Sequence, residues 1–265
     1  MRKFWGRKSV CLVTGASQNI GRAFAESVAS KLAPDSLLIL SSRSPDKLGM
    51  VRQAAYDVNP SLRIHLFEWD LAKPNGKQYQ TDLADILKTN EMEAEDFQLA
   101  MIVHNARTSG EPAKHVVELM DASYIQEHLN INLVSMLVAN SAFWSVFDKA
   151  REKVLINMTA LPESAFGLTS ISKASRTIAL NILDNERPDI RVLHYSPGAV
   201  DASMLQTIIK SSRDPEVFRK IQELYEESKV LKPKQTVNAL LDFLAENEIE
   251  PCMEIDAKHL IKKGA

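Results

Sequence analysis

At 265 residues with 45% hydrophobic content, the chain can bury a full core; its formal charge of −2 and isoelectric point near 6.3 give no electrostatic reason to expect nucleic acid. The only cysteines are Cys11 and Cys252, and His65, His104, His115, His128, His194 and His259 show no ligand spacing, so neither a disulfide framework, a zinc cluster nor another metal site is expected. No Gly/Ser/Pro-rich linker divides the chain, and the basic start Met1 to Lys8 precedes an apolar run too short for a signal peptide or membrane span; a single domain over 1–265, soluble and cytoplasmic, with no membrane partner, is expected.

The first predicted element is the strand Ser9-Val10-Cys11-Leu12-Val13. The turn Thr14-Gly15-Ala16-Ser17-Gln18-Asn19-Ile20-Gly21 follows at once, and then a helix from Arg22. A strand, a glycine turn and a helix in that order make a phosphate cradle. Gly15 lets the backbone turn tightly, Gly21 allows close approach to a pyrophosphate and to the sheet, and the helix start offers free N–H groups. A glycine turn alone is also compatible with a plain βα connection; the flanking strand and helix favour the cradle.

The second strand, Leu37-Leu38-Ile39-Leu40, ends in Ser41-Ser42-Arg43-Ser44. In dinucleotide folds this strand end meets the adenosine ribose. An acidic residue there would bond a 2′-hydroxyl, whereas Arg43 with hydroxyl neighbours offers a bidentate donor to a 2′-phosphate, which points to NADP rather than NAD. An ordinary solvated loop arginine is the alternative.

Further strands are expected at Ile64–Phe67, Leu99–Val103, Val154–Asn157, Val192–Tyr195 and Cys252–Ile255, separated by helical stretches that include a long run from Ser123 to Ala150. That alternation predicts an α/β fold, a Rossmann-type, doubly wound and mostly parallel sheet with helices on both faces and ligands at the carboxyl edge. The residues just after each strand are therefore the functional candidates: Arg43, Asp70-Leu71, Asn105-Ala106, Thr159-Ala160 and Pro197-Gly198.

Taken with Asn132-Leu133-Val134-Ser135, Tyr195-Ser196-Pro197-Gly198 and Glu254-Ile255-Asp256, these motifs resemble the short-chain dehydrogenase/reductase family along nearly the whole chain, and within it the sepiapterin reductases, which reduce side-chain carbonyls of pterins with NADPH. The resemblance implies roles position by position. Gly15, Ser17, Asn19, Ile20 and Gly21 fall on the pyrophosphate turn, Arg43 and Ser44 on the 2′-phosphate site, Asp70 and Leu71 on the adenine site, and Asn105 on the nicotinamide-side loop. Pro197, Gly198 and Val200 fall on the loop over the nicotinamide, Gly198 also bordering the substrate. Asn132 matches an asparagine that holds a water beside the active lysine, Lys173 the lysine that bonds the nicotinamide ribose and lowers the pKa of the neighbouring acid, and Asp256 a carboxylate that anchors the pterin ring.

Departures fall at the chemistry. Asn19 stands for the middle glycine of the turn, Gln18 for a basic residue often found before it, and Arg107 for the glycine after Asn105-Ala106. Asn tolerates a left-handed backbone, so the turn can persist with less room and less positive charge. More seriously, Thr169-Ser170-Ile171-Ser172-Lys173 has a threonine where the family carries the tyrosine that donates a proton to the carbonyl oxygen, and Thr159-Ala160 replaces a pair of serines that polarise that carbonyl. A threonine hydroxyl is too short and too weak an acid for the tyrosine's task; Thr159 supplies a hydroxyl if the strand end shifts by one residue. Ser170 and a lysine-bound water are other proton sources, while Tyr195 reads as structural. Two functions stay open: a slow NADP-dependent carbonyl reductase acting on a small-molecule substrate such as a pterin, or a non-catalytic relative that binds NADP(H) or a pterin as a binding or scaffold protein. A relative that binds no nucleotide is a third. The region from Ala202 to Val230 reads as a substrate lid followed by a helix. The apolar residues Leu133, Met136, Leu137, Phe143 and Val146 suggest a homodimer face on the long helix.

Overall fold

The computed structural model of the protein describes residues 3–111, 114–159, 167–200, 215–226 and 229–261. Seven strands, β1 (Ser9–Thr14), β2 (Leu37–Ser41), β3 (Arg63–Phe67), β4 (Leu99–His104), β5 (Lys153–Met158), β6 (Ile190–Ser196) and β7 (Met253–Asp256), form one sheet in the order β3-β2-β1-β4-β5-β6-β7. Every pairing is parallel, with Val10 opposite Leu37, Ser9 opposite Leu99 and Leu193 opposite Met253. All seven expected strands are present, shifted by one or two residues at their ends. The chain runs outward from β1 to β3 and then crosses back to β4, so a crevice opens at the carboxyl ends of β1 and β4, where the strand order reverses.

Every residue of β1, β2 and β4 is buried, as expected of parallel strands covered on both faces. Successive side chains feed two separate cores. Cys11, Val13, Leu38, Leu40, Met101 and Val103 join helices α1 (Asn19–Ala29), α2 (Pro45–Val58) and α8 (Pro233–Glu246) on one face. Val10, Leu12, Leu37, Ile39, Ala100 and Ile102 join α3 (Gly76–Thr89), α5 (Ser135–Phe147) and α6 (Gly167–Glu186) on the other. Two short helices, α4 (Ala122–Leu129) and α9 (Ala257–Leu260), and α7 (Pro215–Glu226) complete the chain. Local chemistry fixes the starts: Asn75 accepts from the Gln78 N–H, Asp121 from those of Ser123 and Tyr124, and Pro45 and Pro233 occupy first-turn positions.

The stretch expected as one helix from Ser123 to Ala150 is instead α4, a π turn over Asn130–Val134, and α5. The π turn places one extra residue at Asn132, a local change of pitch that apolar periodicity does not record. This also corrects the expected dimer face. Met136 and Phe143 are buried, Leu133 and Val146 pack against the core, and of the five only Leu137 is exposed. An exposed apolar stripe runs along α6 instead, through Ile171, Ile178 and Ile182. Among the described residues Ala122–Phe147 is the one helical stretch long and apolar enough to cross a membrane, and much of it is packed against the sheet.

Candidate active site

The turn after β1 is held by the loop after β4. Gly15 has φ +67, and a Cβ on it would stand 2.8 Å from the Ala106 Cα; a Cβ on Gly21 would overlap the Gly15 carbonyl and Asn105 Nδ2. Both positions require glycine because two chain segments cross there. Asn19 has φ +51, so it adopts the left-handed conformation of the glycine it replaces. Asn105 braces this crossing: its Nδ2 donates to the carbonyls of Thr14 and Gly15, both at 3.1 Å, while its N–H and that of Ala106 donate to Thr14 Oγ1 at 3.1 and 3.2 Å. Its amide thus faces the turn. Ile20 is buried beneath it and Ser17 is half-buried. Gln18, at the N-cap of α1, makes no side-chain cap bond, so the first N–H groups of α1 are left uncapped by it, an arrangement that fits the oxygens of a diphosphate.

At the end of β2, Arg43 is exposed and makes no ion pair or hydrogen bond among the described residues. The Ser44 N–H donates to Ser42 Oγ at 3.0 Å, and Ser44 precedes Pro45 at the start of α2 without a side-chain cap bond. Asp70 is exposed, its carboxylate accepting from the Ala72 N–H at 3.0 Å, and Leu71 lines a small cavity with Thr14, His104, Ala106, Ser135, Met136 and Arg176.

On α6, Lys173 and Ser170 are half-buried, and Thr169, one turn before the lysine, is 4% exposed. The Thr169 hydroxyl donates to the Ser109 carbonyl at 2.8 Å, which commits its proton to the protein. Thr159 is buried at the end of β5 with its N–H on the Tyr195 carbonyl at 2.8 Å; Ala160 and the rest of 160–166 lie outside the described residues. The Asn132 amide is fully engaged: Oδ1 accepts from the Thr108 N–H at 2.8 Å, and Nδ2 donates to the Thr108 carbonyl at 2.9 Å and to His128 Nε2 at 2.7 Å. The Thr108 bonds orient the amide, so His128 Nε2 is the acceptor and its proton sits on Nδ1.

Among the described residues that nitrogen is sealed without a well-formed partner, with the Leu168 backbone alongside; burial pushes the His128 pKa down, which the Leu168 backbone opposes. Ser172 Oγ donates to the Thr169 carbonyl at 2.9 Å. A Cβ on Gly110, which has φ +63, would lie 2.7 Å from the Tyr124 hydroxyl and 3.0 Å from His128 Nδ1. Tyr124 and His128 therefore converge beside Ser109, the residue that Thr169 bonds. Sequence reading missed both, although Tyr124, His128 and Asn132 stand at i, i+4 and i+8.

Arg176, also missed, forms the floor. It is buried, with Nε and Nη2 on Asn157 Oδ1 at 3.1 and 2.7 Å, Nη2 on the His104 carbonyl at 2.9 Å, and Nη1 on the carbonyls of Ala106 and Asn132, both at 3.4 Å. Burial lowers its pKa to about 10, with the charge of Arg107 adding to the effect, so it remains a cation at neutral pH. Tyr195 is fully buried with its hydroxyl donating to the Thr236 carbonyl at 2.7 Å, in keeping with a structural part.

At the outer edge, the Pro197 carbonyl accepts from Thr236 Oγ1 at 3.0 Å, Gly198 is exposed with φ +74, and Val200 bridges to Leu231. Asp256 pairs with Ser196 in the β6–β7 ladder and caps α9: its carboxylate accepts from the Lys258 N–H at 2.9 Å and meets Lys258 Nζ at 3.3 Å. Of the region from Ala202 to Val230 expected as a lid followed by a helix, 202–214 and 227–228 lie outside the described residues, and the helix is α7. Among the described residues no cluster of His, Cys, Asp or Glu is suited to a metal ion.

Comparison with known proteins identifies the family and the fold. The family model for short chain dehydrogenases matches residues 9–213. Sepiapterin reductase of Rattus norvegicus is 29% identical over 254 residues, covering 94% of this chain and 95% of that protein, and the enzyme of Meriones unguiculatus is 30% identical over 255 residues with the same coverage. A short-chain dehydrogenase structure from Salmonella enterica serovar Typhi superposes with a TM-score of 0.78 at 21% identity, covering 97% of this chain and 99% of that one. A Shigella flexneri structure, complexed with NADP, superposes with a TM-score of 0.77 at 20% identity, covering 97% and 100%. Short-chain dehydrogenases are oxidoreductases that act on small molecules with a nicotinamide dinucleotide. With the matched span reaching from β1 past β6 on an all-parallel sheet of this order, the chain belongs to the short-chain dehydrogenase/reductase family and is related to the sepiapterin reductases.

Proposed function

We propose that the protein is a single-domain, cytoplasmic NADP(H)-dependent carbonyl reductase of the sepiapterin reductase type, acting in tetrahydrobiopterin formation with an altered proton path and a low rate. The observation that carries this reading is Arg43, exposed without a partner among the described residues beside Ser44, where a residue selective for NAD would be acidic. Bound NADPH supplies the hydride. Gly15, Ser17, Asn19, Ile20 and Gly21 hold its diphosphate, Arg43 and Ser44 its 2′-phosphate, Asp70 and Leu71 its adenine, and Asn105, Pro197 and Val200 border the nicotinamide end. Lys173 holds the ribose and orients the water that protonates the substrate oxygen, Asn132 fixes the loop through Thr108, Thr159 faces the carbonyl, and Gly198 and Asp256 border the pterin.

Purified protein at high concentration should oxidise NADPH in a sepiapterin-dependent, saturable way, about 10²–10⁴ slower than an enzyme with its acid in place. Lys173→Ala should abolish the rate. No rate above the buffer blank would reject the reductase.

A second reading is favoured by the Thr169 hydroxyl, which is spent on the Ser109 carbonyl rather than offered to a substrate. In that reading the chain binds NADP(H) or a pterin without turnover, as a scaffold. NADPH fluorescence enhancement without oxidation would support it. The exposed stripe Ile171, Ile178 and Ile182 supports a homodimer through α6 in either reading. Wild type should sediment as a dimer and Ile178→Glu as a monomer; a monomeric wild type would remove the dimer from the proposal.

A further inference from the structure

Arg107 stands where the family has a glycine, in the loop whose preceding residue, Ala106, presses on Gly15 and whose following residue, Thr108, is bonded to Asn132. It therefore lies between the turn after β1 and Asn132 in the π turn. Its guanidinium has no hydrogen-bond acceptor among the described residues, and Nη1 is sealed from solvent without a partner. The residue as a whole is half-buried.

Burial lowers the Arg107 pKa, the Arg107 charge adds to the lowering at Arg176, and no carboxylate contributes at either. Arg176 spends its donors on neutral acceptors. Arginine does not shed its proton at neutral pH, so an enclosed guanidinium with unused donors calls for an anion. The turn from Thr14 to Gly21 carries no cation of its own.

We propose that Arg107 is the phosphate ligand of this cleft, its guanidinium holding a phosphate-class anion against the turn from Gly15 to Gly21 and supplying the charge that Gln18 lacks. The anion is the diphosphate of the bound dinucleotide, an assignment that rests on the cofactor reading above, or the phosphate of a free ligand. A planar fork of donors suits phosphate oxygens, whereas glycine at this position offers only backbone.

Wild type, Arg107→Gly and Arg107→Lys would be titrated with NADPH by fluorescence and, separately, melted with and without sodium pyrophosphate at matched ionic strength. Arg107→Gly removes an unpaired charge, so it should fold, which circular dichroism checks. NADPH should bind it about 10- to 100-fold more weakly than wild type, with Arg107→Lys between, and pyrophosphate should raise the wild-type melting temperature but not that of Arg107→Gly. Equal or tighter NADPH binding by Arg107→Gly would overturn the proposal and make Arg107 an obstruction. If wild type binds no NADPH, the cofactor reading fails and pyrophosphate decides alone: stabilisation that depends on Arg107 assigns the site to a free phosphate ligand, while none, or the same in both proteins, overturns it.

Discussion

Arg176→Met is expected to lower the unfolding free energy by about 1–3 kcal/mol, the loss usual when buried acceptors are left without their donor. Methionine approximates the length of the arginine and none of its donors. The side chain reaches from α6 to Asn157 on β5, the His104 carbonyl at the end of β4, the Ala106 carbonyl in the loop that braces the phosphate turn, and the Asn132 carbonyl in the π turn. Removing it leaves those oxygens without this donor inside the fold. Desolvation of the cation opposes this gain, as its lowered pKa records, so the loss falls well short of a sum over all the bonds. Urea denaturation with an unchanged m-value measures it; a loss under about 1 kcal/mol would mean that water replaces the guanidinium freely. The His104 pKa should also rise in this variant, because the nearby positive charge that helps to depress it has gone.

Acid should destabilise the protein well before its carboxylates titrate. His104 is 2% exposed, and burial first, then the Arg176 charge, lower its pKa to about 3, against the partial opposition of the nearby Asn140 amide. The unfolded chain takes up this proton near pH 6.5 while the folded chain does not. The stabilisation is therefore whole above pH 6.5 and is lost progressively as pH falls from 6.5 toward 3. At pH 5 the His104 contribution alone is a loss of about 2 kcal/mol, roughly 1.5 pH units at 1.36 kcal/mol each. His65, His128 and His194 are shifted in the same direction, chiefly by burial, and steepen the decline. Urea midpoints at pH 7, 6 and 5 test this, and His104→Asn should flatten part of the slope. A profile level from pH 7 to 5 would contradict it.

The sheet was legible because parallel strands covered on both faces are written as short continuous apolar runs, such as Val10–Val13 and Leu37–Leu40, punctuated by helices. The glycine turn after β1 was legible for a related reason. A left-handed backbone and a chain crossing restrict which residues fit, so Gly15, Asn19 and Gly21 carry their geometry in their identity, and the motif around them marks the family. The π turn at Asn132 was not legible, since one extra residue barely disturbs an apolar pattern. Nor was the move of the exposed apolar stripe from the Ser123–Ala150 region to α6, because which face of a helix is covered depends on what packs against it.

The sequence by itself therefore determined the order of the elements, the glycine turn after β1, Arg43 at the end of β2 and the absence of a tyrosine at Thr169. Only the tertiary structure decided that the Thr169 hydroxyl is spent on Ser109, that Asn132 is spent on Thr108 and His128, that Arg176 ties β4, β5 and the π turn together, and that the Arg107 Nη1 is sealed without an acceptor among the described residues. Hydrogen-bond satisfaction at each of these groups depends on atoms from segments that are distant in the chain and meet only when the sheet closes around them.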